Sequence, residues 1–121
     1  MRARLLKALA RLASEQYQDT YVIHGTPEEY VLPEDLIEDV ANLCLLSSES
    51  QYRTLFTSNE HAALESILQV IRNFESNCCS EIENSNLEHL IHHNSNWSSL
   101  RSRAEYTLNI LGGRAYLNDL I

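Results

Sequence analysis

The 121-residue chain reads as an all-α protein: a single-domain bundle of about five helices spanning residues 1–121. Three observations predict this. Apolar residues recur at spacings of three and four in several separate segments, the period of a helix with one buried face. Start and stop signals for helices fall between those segments. The length suits one domain, and 44% hydrophobic with 21% charged residues is ordinary for a chain that buries a core.

The first helix is predicted from Arg2 to Tyr17 or a little beyond, because Leu5, Leu9, Leu12 and Gln16 share one row and Leu6, Ala13 and Tyr17 flank it. Tyr21, Val22 and Ile23 favour extended structure, and Gly25 is expected to close the segment, as a left-handed helix end or a turn. Thr26-Pro27-Glu28-Glu29 is a helix-start signal, with Thr26 as N-cap and Glu29 completing a capping box. Pro33 follows so closely that this start is read as a single turn. The main second helix then runs from Pro33 to about Leu46, burying Leu36, Ile37, Val40, Ala41, Leu43 and Cys44.

Asn59 is expected to cap a third helix ending near Phe74, with Ala63, Leu64, Ile67, Leu68 and Ile71 as its stripe. From residue 73 to 99, Asn or Ser occupies 12 of 27 positions, so a broken stretch with a short fourth helix through Ile82, Leu87, Leu90 and Ile91 is predicted. A fifth helix starts at Ser95 or Asn96, carries Trp97, Leu100, Ala104 and Leu108, and stops at Gly112-Gly113. Tyr116, Leu117, Leu120 and Ile121 in the tail are enough to dock back on the body.

The charges are laid out unevenly. Net charge is −8, yet residues 1–11 hold Arg2, Arg4, Lys7 and Arg11 and no acid, while residues 12–52 hold nine acids and neither Lys nor Arg. One account places acids at helix N-termini, where the macrodipole favours them; it suits Glu34 and Asp35 better than Glu38 and Asp39, which lie a turn further in. The other account makes Glu28, Glu29, Glu34, Asp35, Glu38 and Asp39 an anionic surface for a basic protein partner, with Tyr30 as its aromatic anchor. The basic first helix is expected to pair with the acidic second helix inside the molecule.

Other chemistries find less support. No nucleophile elbow, oxyanion loop or phosphate-binding glycine loop is present, so no enzyme activity and no cofactor is expected. Cys78-Cys79 with His89, His92 and His93 lacks the paired spacing of a zinc site, and no metal is expected. The negative charge argues against direct nucleic-acid binding, and no apolar run reaches membrane-spanning length. Three cysteines, two of them adjacent, point to reduced thiols in the cytoplasm. Lys7 and Arg11 interrupt any secretory signal, and the first segment is read as a structural helix.

In size, acidity, helix count and the acid-dense second helix, the chain resembles the small acidic immunity proteins that bacteria make against their own secreted toxins. The resemblance carries no shared motif and transfers no residue role. It implies a cytosolic inhibitor that occludes the active surface of a basic effector, such as a nuclease-type toxin domain; the charge layout, not the resemblance, offers Glu28 to Asp39 for that role. The alternative is a helical adaptor or regulatory subunit, a homodimer included, that docks through an apolar helix face around Leu43, Leu45 and Leu46.

Overall fold

In the computed structural model, which describes residues 1–84 and 86–120 (without the side chains of 78–81, 83 and 84), Ser14 divides the first predicted helix. Ser14 is extended, at φ −99° and ψ 108°, and its Oγ accepts the Tyr17 amide. Helix α1 is therefore Arg2–Ala13 and α2 is Glu15–Gln18. The apolar spacing ran through Ser14, which concealed a serine well suited to cap the next helix. Asp19–Ile23 then form a π-helical turn rather than the extended piece their β-branched character suggested.

Gly25 has no left-handed conformation; among the described residues only Gly112 has a positive φ, of 69°. Gly25 is needed for close approach, since a Cβ there would lie 2.5 Å from the Tyr21 carbonyl oxygen and 2.8 Å from the Tyr30 Cβ. No helical turn forms at Thr26. Thr26 and Glu29 exchange backbone hydrogen bonds of 3.0 and 3.1 Å, and Thr26 Oγ1 accepts the Glu29 amide. Pro33 is too near for a helix to nucleate between them.

Helix α3, Pro33–Ser47, starts at its proline as predicted. A 3₁₀ turn at Arg53–Leu55 leads to α4, Ser58–Asn84, which runs ten residues beyond the expected end at Phe74. Its start is a capping box at Thr57, just ahead of the expected cap at Asn59: the Glu60 amide donates to Thr57 Oγ1, and the Thr57 amide donates to Glu60 Oε1. Helix α5, Leu87–His93, is capped by Asn86, and α6, Ser95–Ile110, by Asn94. Helix α7, Arg114–Asn118, follows the glycine pair, and Tyr116, Leu117 and Leu120 pack against the core as expected, while Ile121 lies outside the described residues. Seven α-helices thus occur among the described residues, where about five were expected, and the all-α class holds.

The core is centred on α1, which packs against α3, α6 and α7, while α4 packs against α3 and α6. Leu5, Leu9 and Leu12 are fully buried, as are Trp97, Leu100 and Leu108 of α6. Each such side chain contributes roughly 1.5–3 kcal/mol on burial. So the most basic helix of an acidic protein is also the axis of its apolar core.

One buried polar link completes the centre. Trp97 Nε1 donates to Gln18 Oε1 at 3.0 Å, and Gln18 Nε2 donates to the Arg11 and Leu12 carbonyls at 3.0 and 2.8 Å. Those carbonyls end α1 and lack helical partners, so a glutamine side chain from α2 serves as their cap.

Candidate interaction surface

The candidate residues lie on two adjoining pieces of chain. Glu28, Glu29 and Tyr30 sit on the loop of residues 24–32, which the Val31 amide ties to the Tyr21 carbonyl at 3.0 Å. Glu34 and Asp35 occupy the first turn of α3, and Glu38 and Asp39 the second. Leu36, Ile37 and Val40 bury the opposite side of that helix, so the core itself turns the carboxylates outward. All seven candidates are exposed, Tyr30 at 61%, and Leu32 beside it is exposed as well.

None of the six acids forms an ion pair among the described residues. The expected pairing of the basic first helix with the acidic helix does not occur there either. Arg4, Lys7 and Arg11 line a groove with Asp39, Asn42 and Leu46 without closing a salt bridge across it. Arg11 instead lies over the Tyr17 ring, 5.9 Å from its centroid.

Arg2 turns the other way. Its guanidinium donates to both Glu60 carboxylate oxygens at 3.0 and 2.8 Å and to the Leu55 and Leu111 carbonyls. These bonds hold the Glu60 carboxyl below the usual carboxylate range and raise the Arg2 guanidinium. Reading α1 as one block of like charges missed this, because partners 58 residues apart leave no local signal.

The histidines behave differently from a metal cluster. His92 Nδ1 contacts Glu15 Oε2 at 2.7 Å, and His92 Nε2 contacts Asp19 Oδ1 at 2.8 Å. His89 and His93 are exposed. Among the described residues, no three or more His, Cys, Asp or Glu side chains are placed to hold a metal ion. The Cys78 and Cys79 side chains lie outside the described residues. Cys44 is a buried hydrophobe, its thiol pushed up to about 12 by burial, which makes it a poor nucleophile.

Exposed carboxylates on one helix face can accept charge-assisted hydrogen bonds from arginine and lysine, and a neighbouring tyrosine can supply apolar contact. The fold and this surface define an all-α protein with an acid-dense, outward-facing helix. No protein-family model, curated protein or solved structure matches the chain. Among the described residues, no helix is long and apolar enough to cross a membrane.

Proposed function

We propose that this protein binds a basic protein partner through Glu28, Glu29, Tyr30, Glu34, Asp35, Glu38 and Asp39, and inhibits it by covering its cationic active surface in the manner of an immunity protein. One observation carries the reading. Glu34 with Glu38, and Asp35 with Asp39, are like-charge pairs at i, i+4, and no cation of the described chain pairs with any of them. Such pairs cost a few tenths of a kcal/mol each in an isolated helix. A surface that leaves this repulsion unrelieved is suited to a cationic partner that relieves it on binding.

In this reading the charges steer encounter, and Tyr30 with Leu32 sets the lifetime of the complex. A toxin domain that acts on nucleic acid is the proposed partner class, because its own phosphate-binding surface is cationic. The proposed compartment is the cytoplasm. The test is a pull-down from the native host with wild type beside Glu34→Gln/Asp35→Asn/Glu38→Gln/Asp39→Asn. Wild type should recover a basic protein that the neutralised variant loses. Equal recovery of the same partner by both overturns the reading.

A second reading, a helical adaptor, draws on Leu45, which is 48% exposed on α3 while Leu43 is buried and Leu46 is half-buried. Salt separates the two readings: steered association between opposite charges slows steeply as ionic strength rises, whereas apolar docking does not.

A further inference from the structure

Both ring nitrogens of His92 are engaged by carboxylates, and that arrangement is a statement about protons. A neutral imidazole has one N–H donor and one lone pair. With Glu15 Oε2 at 2.7 Å from one nitrogen and Asp19 Oδ1 at 2.8 Å from the other, a neutral ring would press its lone pair against a carboxylate oxygen. Only the imidazolium donates to both. The two acids stand at i, i+4, so they repel each other once the cation between them is gone.

The contact joins distant parts of the chain. His92 lies in the last turn of α5, a seven-residue helix held otherwise by buried Leu90 and Ile91, and a cation is favoured at that helix end. Glu15 opens α2 and Asp19 opens the π-helical turn. Between them in sequence is Gln18, whose side chain caps α1 and accepts from Trp97.

The surrounding charges sort by element. From α6, Arg101 lies 3.7 Å from Glu15 and donates to the Ile91 carbonyl at 2.7 Å, so Glu15 keeps a cation when His92 does not. Beyond the π-helical turn, His24 stands 3.9 Å from the same Asp19 oxygen. On α5 itself His93 is the nearest ionisable ring, with centroids 6.4 Å apart, and His89 stacks on His93. Helix α4 supplies no ion pair to His92 among the described residues.

We propose that His92 is a proton-operated latch, which as imidazolium staples α5 to residues 15–23 and on losing one proton lets α5 lift from that segment. The inference stands apart from the proposed function, since it uses none of the residues assigned to the partner.

The electrostatics agree in sign. The hydrogen bonds to Glu15 and Asp19 raise His92 above its ordinary value, and the hydrogen bond to His92 lowers Glu15. The His92 contribution is therefore complete below the ordinary imidazole value and is lost as pH rises through the raised one. The Glu15 contribution is present above the ordinary carboxylate value and is lost as pH falls through the lowered one. The latch is closed between these limits and opens on the alkaline side at His92.

The experiment follows His92 by NMR between about pH 5 and 9.5, together with amide hydrogen exchange of Leu90 and Ile91 corrected for intrinsic rate. His92 should titrate above the ordinary imidazole value. Protection of Leu90 and Ile91 should fall about tenfold for each unit by which His92 is raised. His92→Arg, a permanent cation with several donors, should keep that protection at alkaline pH; His92→Gln should lack it at every pH. Trp97, the single tryptophan, reports in parallel by fluorescence through Gln18. If His92→Gln fails to fold, wild type and His92→Arg still decide. Titration of His92 at or below the ordinary imidazole value overturns the latch, and so does an equal alkaline loss of protection in wild type and His92→Arg.

Discussion

Glu60 and the acids of α3 are the same kind of group put to opposite use. Glu60 is nearly buried, caps its own helix at Thr57 and holds both donor faces of Arg2. Glu34, Asp35, Glu38 and Asp39 are exposed and meet no cation of the described chain. Three cations, Arg4, Lys7 and Arg11, line a groove with Asp39 and still form no ion pair with it. A carboxylate is thus structural where the fold surrounds it with donors from several elements, and available where a single helix presents it to solvent.

Changes within and around these two regions sharpen the contrast, and they rank by how much of the core each one touches. Trp97→Ala should be the most damaging, at about 3–5 kcal/mol by urea denaturation, because it empties a fully buried site against Phe74 of α4. It also removes the donor that Gln18 accepts from. Arg2→Ala should cost about 2–3 kcal/mol, since it strips two charge-assisted bonds from a nearly buried carboxylate. That difference should shrink in acid: Glu60 has a lowered value, so its contribution exists above the ordinary carboxylate value and disappears as pH falls through the folded one.

Gly112→Ala should cost about 1–2 kcal/mol, as its positive φ is disfavoured for any residue with a Cβ. The smallest effect on stability is expected from neutralising Glu34, Asp35, Glu38 and Asp39, within about 0.5 kcal/mol per site. Thermal unfolding at low and high salt checks it. A large loss of stability there would assign those acids to the fold and erase the difference from Glu60.

Much of the architecture was legible in the residue order. The stripes of Leu5 to Leu12, Leu36 to Cys44 and Trp97 to Leu108 each bury as their spacing predicts, because helical period and burial are one local property. The break at Ser14 and the extension of α4 to Asn84 were not legible. Ser14 lies within an unbroken apolar pattern, and the Asn- and Ser-rich stretch stays helical as far as Asn84 despite weak intrinsic propensity. Of the candidate surface, the outward direction of the acids on α3 followed from the apolar positions between them. The clamp of Glu15, Asp19 and His92 did not, since its members are 73 and 77 residues apart.

By itself the residue order determined the helical class, the buried face of each main helix and the concentration of acid between residues 12 and 52. These are local quantities, read from spacing and composition. Tertiary structure alone decided which charges are neutralised. Arg2 reaches Glu60 and His92 enters between Glu15 and Asp19, while the acids of α3 remain without a cation among the described residues. Ion pairing depends on distances of a few ångströms between side chains from different elements, and only the packing of those elements sets such distances.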